Sequence, residues 1–333
     1  MSDRRAVVDV LRSARRVLVA VHEMPDGDTT GSGLALGHIL RRLGIAATVG
    51  GPDPLLPTFS FLPGAAAAVT WAQLGTASRF DAVVTVDCGD PRRTGGMEQL
   101  RLFAPCVVNV DHHASNPRFG DINWVEPDRG AVGEMVLALA DDLQVALDPE
   151  LALCLYVSLA SDTEGFRFGF HDSRFFHLAA RLTEAGLDPA WVSHRLFEEQ
   201  PLSTLRLKGW ALGRLQRSPS GKVAWLLVPR AALARYGAHL YEAEGLVSLV
   251  RSLQGVQMAV LVREEEPGWV KVSLRSQPPW EAARIAALLG GGGHTHSAAA
   301  KLRGSLAKVS QRTLAAVHQM YGEDARWTDS SMS

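Results

Sequence analysis

Four apolar runs in the first half of the chain each end in an acidic residue or a histidine, and this pattern constrains the fold. The runs cover residues 17–21, 82–86, 106–110 and the longer stretch 151–159. They lead into His22, Asp87, the triplet Asp111-His112-His113 and Asp162, respectively. As buried strands of one parallel sheet, the runs would bring these polar side chains to one edge, because such sheets bind ligands at the carboxyl ends of their strands.

Helix-like patterns alternate with these runs. Apolar residues recur at helical spacing over residues 33–43 before Gly44, and further helices are predicted at about 131–141 and 175–185. Strand-helix alternation is typical of α/β proteins. The first domain is therefore predicted to contain a doubly wound, mostly parallel sheet with helices on both faces.

The length of 333 residues favours two domains. We place a catalytic domain at 1–186, a linker at 187–201, a smaller α/β substrate-binding domain at 202–324 and a polar tail at 325–333. In the second domain, strands are predicted at 223–228, 258–262 and 269–274. Pro267 and Gly268 predict a hairpin turn between the last two of these strands.

Composition narrows the class of protein. A formal net charge of −1 argues against capture of long nucleic acid by bulk charge. The three cysteines form no Cys-x-x-Cys pair, which favours free thiols in a reducing compartment. No signal-peptide core is visible at the N-terminus and no apolar run approaches the ~18 residues of a membrane span. We therefore expect a cytoplasmic protein without membrane attachment.

The acidic residues near the run ends predict a site for two metal ions. At ~4 Å and an effective dielectric constant near 20, each pair of ionised carboxylates repels by about 4 kcal/mol. Asp26, Asp28, Asp87 and Asp162 in one cleft would therefore need two divalent cations, and Asp87 can bridge them. Gly27 would allow a tight loop to aim its two flanking carboxylates at different ions.

The type of ion follows from the ligand types. Mixed oxygen and imidazole ligands favour Mn²⁺, with Co²⁺, Zn²⁺ or Fe²⁺ as substitutes. No cysteine belongs to the set, which argues against a structural zinc site. Two such ions about 3.5–4 Å apart polarise a phosphoryl group and activate water, so no covalent nucleophile is required.

Six motifs in order carry a family resemblance. The first domain contains His22-Glu-Met-Pro-Asp26-Gly-Asp28, Val86-Asp87-Cys88-Gly89, Asp111-His112-His113 and Ser161-Asp162-Thr163. The second domain contains Ser273-Leu274-Arg275-Ser276 and Gly290-Gly-Gly-Gly-His294. The chain thereby resembles the DHH-family phosphoesterases of the first subfamily, and more closely the bacterial nano-RNase and pAp phosphatase group. The resemblance covers nearly the whole chain and implies the fold predicted above.

The resemblance also implies roles around the metals. One ion would be held by His22, Asp26 and Asp87, and the other by Asp28, Asp87, His112 and Asp162. His113 would face the substrate and either contact phosphate or assist the leaving group. Asp111 would orient a histidine without binding metal itself.

Further roles implied by the resemblance concern the substrate. Asn116 would touch the scissile phosphate or a sugar. Arg275 and His294 would clamp the terminal phosphate of a short nucleotide. The guanidinium of Arg275 offers a planar fork suited to phosphate. The glycine run, including Gly292 and Gly293, would let backbone N–H groups approach the anion closely.

Four residues outside these motifs, Ala300, Glu164, Arg92 and Arg93, also carry predictions. Ala300 stands where the family usually has glycine, so a positive φ there would strain it. Glu164 also stands where the family often has glycine. Arg92 and Arg93 follow Asp90-Pro91 and are predicted to lie on a solvated face.

The leading function is hydrolysis of very short oligonucleotides, RNA or DNA, to mononucleotides, with removal of the 3′-phosphate from pAp as a second activity. The alternative is a phosphodiesterase for cyclic or linear dinucleotides such as c-di-AMP and pApA. We also considered an inorganic pyrophosphatase, a RecJ-type exonuclease and a nucleotide-binding module without catalysis. The sequence leaves the oligomeric state open between a monomer and a homodimer.

Overall fold

The computed structural model describes residues 3–75, 77–167 and 173–322, so the predicted polar tail lies outside the described residues. The chain folds into two compact units, Met1–Glu199 and Gln200–Ser333. The division falls inside the stretch predicted as a linker. Most of that stretch folds with the first unit, because Leu187 and Val192 are buried in its core.

The first unit is built on a sheet whose described strands all run parallel. They are β1 Arg16–Ala20, β2 Ala46–Gly51, β3 Val69–Thr70, β4 Ala82–Val86, β5 Cys106–Asp111 and β6 Ile122–Val125. Their order across the sheet is β3-β2-β1-β4-β5-β6. The direction in which strands are added therefore reverses between β1 and β4, and ligands bind at such a switch point.

Helices cover both faces of this sheet. They are α1 Asp3–Ser13, α2 Gly27–Arg42, α3 Trp71–Leu74, α4 Met97–Phe103, α5 Val132–Asp142, α6 Pro149–Asp162, α7 Ser173–Glu184 and α8 Pro189–Ser193. Single 3₁₀ turns cover Pro57–Phe59, Ala65–Ala67 and Pro91–Thr94, and a π-helical turn covers His194–Glu198. Along β1, Val17 and Val19 belong to the core shared with α1, α2, α5 and α6. Leu18 and Ala20 point to the other face, where α4 packs, and the predicted doubly wound fold is confirmed.

The fourth apolar run is not a strand, and that part of the prediction is wrong. It forms α6, which begins after Asp148, whose Oδ1 accepts a hydrogen bond of 2.7 Å from the backbone N–H of Leu151. The helix packs against α2, α5, α7 and α8. Because neighbours surround it, α6 is apolar on almost every side and lacks the helical period that distinguishes a half-exposed helix from a buried strand.

The second unit is a smaller α/β unit with a mixed sheet. Its strands are β7 Gln216–Arg217, β8 Val223–Val228, β9 Met258–Glu266, β10 Trp269–Ser276, β11 Gly292–His294 and β12 Ser297–Arg303, in the order β11-β12-β10-β9-β8-β7. Its helices are α9 Leu202–Leu212, α10 Arg230–Tyr236, α11 Leu246–Arg251, α12 Ala282–Leu288 and α13 Leu306–Tyr321, with a 3₁₀ turn at Leu240–Ala243.

The second unit contains the predicted hairpin and has helices on both faces of its sheet. β9 and β10 pair antiparallel, and Gly268 between them has φ +78°, so the predicted hairpin is confirmed. Residues of α12 and α13 pack on one face of the sheet, and residues of α9, α10 and α11 pack on the other. Within the described residues, no helix of either unit has both the length and the apolar character needed to cross a membrane.

Candidate active site

The carboxyl ends of three parallel strands bring the central site residues together. His22 lies two residues beyond the end of β1, Asp87 follows β4 directly, and His112 follows β5 directly. All three are buried, with exposed fractions of 0%, 3% and 2%. Because β1 and β4 flank the reversal of strand order, these side chains lie where an open α/β sheet binds ligands.

Asp26 and Asp28 come from the start of α2, not from the tight loop that the sequence suggested. Asp26 is the N-cap, and its Oδ1 accepts from the backbone N–H of Asp28 at 3.1 Å and of Thr29 at 3.2 Å. The expected reason for Gly27, backbone freedom, is also wrong. A Cβ at this position would lie 1.8 Å from Oγ of Ser161, so close packing of α2 on α6 requires the glycine.

The proposed metal ligands form two groups that share Asp87, and Asp87 also groups with Asp111 and His113. In one group, donor atoms of His22, Asp26 and Asp87 lie within 4.8 Å of one another, and a second group joins Asp28, Asp87 and His112. Oδ2 of Asp87 is 3.5 Å from Nε2 of His22, and Oδ1 is 3.5 Å from Nε2 of His112. The two oxygens of one carboxylate therefore face different histidines, as a bridging ligand requires.

Asp162 joins the second group from the C-terminal end of α6. Its Oδ2 lies 3.3 Å from Nε2 of His112, and Oδ2 of Asp28 lies 3.7 Å from the same nitrogen. Three carboxylates therefore surround one imidazole nitrogen. The structure brings together all six residues proposed from the sequence as metal ligands. Three of them come from helix ends and not from strand ends: Asp162 ends α6, and Asp26 and Asp28 lie at the start of α2.

Backbone carbonyls define which ring nitrogen of each histidine faces the carboxylates. Nδ1 of His22 lies 2.7 Å from the carbonyl oxygen of Glu23, and Nδ1 of His112 lies 3.0 Å from that of Arg129. Because a carbonyl only accepts, Nδ1 of each ring donates to it, so Nε2 is the nitrogen that faces the carboxylates and would lose its proton on ligating a metal. Two imidazole lone pairs and four carboxylates form a donor set that fits two divalent transition-metal ions.

Burial and mutual repulsion shift the pKa values of the clustered carboxylates. Burial, followed by the charges of Asp87 and Asp162, raises the pKa of Asp28 well above its usual value. Burial would also raise the pKa of Asp87, but hydrogen bonds with His112 and His22 outweigh it and hold that pKa well below the usual value. Nearby positive charge is therefore what keeps a carboxylate ionised here, and divalent cations carry such charge.

The backbone of Asp87 is itself unusual. Its φ is +53°, in the left-handed region that aspartate tolerates better than most residues but that still costs energy. Its backbone N–H donates to the carbonyl oxygen of Val110 at 3.0 Å, which extends the ladder between β4 and β5 by one residue. Such conformations persist where the surroundings enforce them, and they are concentrated at functional sites.

His113, Asp111 and Asn116 form a hydrogen-bonded chain beside the metal ligands. Nδ1 of His113 lies 2.8 Å from Oδ1 of Asp111, and Nδ2 of Asn116 donates to Oδ2 of Asp111 at 2.5 Å and to Oδ1 of Asn109 at 2.7 Å. Oδ1 of Asn116 accepts from the backbone N–H of Arg118 at 2.7 Å. The amide of Asn116 is thus engaged within the protein, and Asp111 contacts a histidine as expected.

The proposed phosphate clamp lies on the sheet of the second unit. Arg275 of β10 is in register with Ser297 of β12, which is in register with His294 of β11. Gly292 and Gly293 belong to β11, an edge strand, and edge strands leave backbone groups without a strand partner on one side. The second half of the glycine run is therefore part of a strand.

Two glycines of the run Gly290–Gly293 stand where a larger side chain would be strained or would clash. Gly290 has φ +81° and ends α12, with its N–H bonded to the carbonyl oxygen of Ala287. A Cβ on Gly291 would lie 2.1 Å from the carbonyl oxygen of Ala299 and 2.7 Å from Cβ of Ala300. Ala300 does not have a positive φ and is therefore unstrained, because it is a regular residue of β12 paired with Val272.

Strain appears instead at Glu164, the other position where the family often has glycine. Its φ is +47°, and Gly165 and Phe166 after it also have positive φ values of +75° and +65°. Glycine adopts this region without steric cost, whereas a residue with a Cβ does not. The turn that follows Asp162 therefore favours glycine for a backbone reason.

Sequence reasoning missed two residues of this site. Arg93 was expected on a solvated face, but it is only partly exposed and its Nη2 lies 2.9 Å and 3.1 Å from the two ring nitrogens of His22. The turn at Pro91–Thr94 after β4 positions it, and that turn was the available signal. Ser158 is fully buried in α6 and donates to Oδ1 of Asp28. A serine within an apolar helix gave no comparable signal.

Both units of the chain match known protein families. The DHH family N-terminal domain matches residues 16–159, and the DHHA1 domain matches residues 223–323. The bifunctional oligoribonuclease and PAP phosphatase NrnA of Thermus thermophilus is 32% identical over 329 residues, which cover 95% of this chain and 93% of that protein. The chain belongs to the DHH family. It is therefore a phosphoesterase, a hydrolase of phosphate ester bonds, in a family that depends on divalent metal ions.

Two further comparisons differ in how much of each protein they cover. The cyclic-di-AMP phosphodiesterase PdeA of Listeria monocytogenes is 26% identical over 97% of this chain but only 49% of its own length. The crystal structure of an exopolyphosphatase-related protein from Bacteroides fragilis superimposes with a TM-score of 0.85 at 21% identity, covering 95% of this chain and 96% of that one. At this identity the superposition supports the fold alone.

Proposed function

We propose that this protein hydrolyses very short oligonucleotides to mononucleotides and removes the 3′-phosphate from pAp. The proposal is supported by the position of Asp87, whose two oxygens lie 3.5 Å from Nε2 of His22 and of His112, as a carboxylate bridging two ions would. The substrate class is supported by the similarity to the Thermus thermophilus oligoribonuclease and PAP phosphatase, which extends over both units. We further propose a cytoplasmic location, in keeping with three free cysteines.

Two divalent cations, most suitably Mn²⁺, are proposed for the two donor groups. His22, Asp26 and Asp87 would hold one ion, and Asp28, Asp87, His112 and Asp162 would hold the other. The chemistry that such ions supply when bound is neutralisation of phosphate charge and activation of water near neutral pH. The chain's own contribution is to fix the donor atoms, through the cap at the start of α2 and the carbonyls that face both histidines.

His113 is proposed to donate a proton to the leaving group. Burial alone would lower the pKa of this imidazole, but its hydrogen bond with Asp111 and the charges of Asp111 and Asp87 raise it. The ring therefore keeps its proton to a higher pH than a free imidazole does. Because Nδ1 is held by Asp111, Nε2 is the atom that would donate a hydrogen to the departing oxygen.

Binding of the terminal phosphate is assigned to the second unit in this proposal. Arg275 and His294, in one row of the sheet, would bind phosphate oxygens, and the edge-strand backbone at Gly292 and Gly293 would approach the anion. The amide hydrogens of Asn116 are used by Asp111 and Asn109, so its Oδ1 would accept a hydrogen bond from a sugar hydroxyl of the substrate. These contacts would orient a short substrate by its end.

Arg275→Ala is expected to weaken substrate binding far more than turnover. A hydrogen bond to a charged group contributes about 1.5–3 kcal/mol, so KM should rise roughly 10- to 150-fold while kcat changes little. Arg303→Ala, which removes an exposed cation from β12 of the same sheet, is the matched control and should leave KM unchanged. Loss of metal uptake by Arg275→Ala, with substrate affinity intact, would contradict the assignment.

The assay that tests the function compares Mn²⁺-dependent hydrolysis of a dinucleotide, a five-mer, pAp, cyclic di-AMP and pyrophosphate. We expect turnover of the dinucleotide, the five-mer and pAp. The second candidate, a phosphodiesterase for cyclic or linear dinucleotides, is favoured by the similarity to PdeA along nearly the whole chain. Turnover of cyclic di-AMP in preference to pAp and the five-mer would replace the leading proposal with this one.

A further inference from the structure

Helix α5 begins without a cap of its own. Its N-cap residue is Ala131, which has no side-chain acceptor, although the first N–H groups of a helix have no partner inside the helix. The backbone N–H of Val132 donates to Oδ2 of Asp28 at 2.9 Å, and that of Gly133 donates to Oγ of Ser158 at 2.8 Å. The start of α5 is thus capped by side chains from α2 and α6.

Ser158 links the backbone of Gly133 to the carboxylate of Asp28. Because the N–H of Gly133 can only donate, Oγ of Ser158 accepts it and uses its own hydrogen in the bond to Oδ1 of Asp28. Both carboxylate oxygens of Asp28 are therefore tied to the start of α5, one directly and one through the serine. Asp28 and Ser158 each have an exposed fraction of 0%, so water does not compete for these bonds.

The space around Ser158 allows this arrangement and few others. A Cβ on Gly133 would lie 2.2 Å from Oγ of Ser158, and a Cβ on Gly31 would lie 2.8 Å from its backbone nitrogen. Both distances are far shorter than a carbon can approach. Two glycines on neighbouring helices thus make the slot that the serine occupies, and the slot fixes where its hydroxyl points.

We propose that Ser158 is a positioning residue that orients Asp28 toward the ion held by Asp28, Asp87, His112 and Asp162. This inference rests on the proposed two-metal function. A carboxylate whose orientation is fixed by hydrogen bonds binds a metal better than one that must be ordered on binding, and losing such a partner costs about 10- to 100-fold in affinity or activity. Ser158 is the side chain that provides this restraint to Oδ1 of Asp28.

The test measures Mn²⁺ binding to the full chain carrying Ser158→Ala. Calorimetry gives the affinity for each ion, and the electron paramagnetic resonance signal of paired Mn²⁺ ions reports when both sites are filled. We expect the affinity for one of the two ions to fall by about 10- to 100-fold while the other is retained. The paired-ion signal should then require a higher Mn²⁺ concentration. Raising Mn²⁺ should restore kcat, and KM for pAp should stay at the wild-type value.

Ser32→Ala is the matched control. Ser32 is on α2, is also fully buried, and its Oγ donates at 2.6 Å to the backbone carbonyl of Asp28, not to the carboxylate. Because Ser158→Ala leaves the N–H of Gly133 unsatisfied at a cost of about 1–3 kcal/mol, Ser158→Cys is measured alongside. Cysteine keeps an atom at the hydroxyl position, but its larger sulfur hydrogen-bonds only weakly, so the same loss of one ion is expected.

Two outcomes would overturn the positioning role. One is a folded Ser158→Ala or Ser158→Cys variant that binds both ions as the wild type does. The other is an equal loss of affinity in Ser32→Ala, which would indicate a general effect of deleting a buried hydroxyl. A wild-type protein that takes up no second ion would instead overturn the dinuclear site itself, so the two failures are distinguishable.

Discussion

Asp87→Ala is expected to abolish turnover of every substrate of this protein. The two oxygens of Asp87 face two different histidines at 3.5 Å each, so removing the carboxylate takes a ligand from both proposed ions. Removing one hydrogen-bond donor from the oxyanion hole of an enzyme lowers kcat by roughly 10²–10³-fold. Removing a ligand that two metal ions share should lower kcat at least as much. The measurement is kcat at saturating Mn²⁺ together with the number of Mn²⁺ ions bound.

The control for Asp87 is at the other end of the same strand. Asp81 precedes β4, and its Oδ2 accepts from the backbone N–H groups of Arg15 and Arg16 at 2.7 Å and 2.8 Å, so Asp81→Ala should cost stability but not activity. Asp87→Asn separates ligand loss from backbone strain, because asparagine also tolerates the φ of +53° at this position. Activity above about a tenth of wild type in Asp87→Ala would rule out the bridging role, given the size of effect expected.

Gly31→Ala should disrupt the site from a distance by forcing α2 and α6 apart. Alanine normally stabilises a helix interior by about 1 kcal/mol relative to glycine. Here its Cβ would lie 2.5 Å from the carbonyl oxygen of Cys154 and 2.8 Å from the backbone nitrogen of Ser158. Backbone atoms cannot rotate away, and overpacking costs about 1–3 kcal/mol or more, so the net effect is destabilising.

The separation of these helices should also reduce metal binding, because Asp28 lies on α2 and Asp162 on α6. We expect a lower free energy of unfolding and at least about a tenfold loss of Mn²⁺ affinity, as for other losses of ligand support. Gly209→Ala is the control: Gly209 lies in α9 with nothing within 4 Å of its added Cβ. That variant should gain about 0.4–1 kcal/mol and keep its metal affinity. A stabilised Gly31→Ala with normal Mn²⁺ binding would contradict the close packing of α2 on α6.

The predictions that succeeded depend on local patterns. The strands β1, β4 and β5 are short apolar runs with a polar residue directly after them, and a parallel sheet aligns the ends of its strands. The sequence alone therefore places His22, Asp87 and His112 at one edge of the sheet. The hairpin around Gly268 is equally local, because proline and glycine at its turn limit the backbone to a few conformations.

The predictions that failed depend on neighbours distant in sequence. α6 appeared to be a strand because helices surround it and remove its polar face. Gly27 appeared to serve backbone freedom, but the atom that excludes a larger residue there is Oγ of Ser161 on another helix.

The order of motifs along the chain was enough to establish the family, the α/β class and the set of acids and histidines from which the metal ligands are proposed. Each depends on residue types and short spacings, which the chain carries wherever it folds. Only the tertiary structure decided that Asp87 lies between two histidines, that Ser158 ties Asp28 to the start of α5, and that Arg93 reaches His22. These contacts join atoms up to 130 residues apart, and packing of whole helices and strands determines such distances.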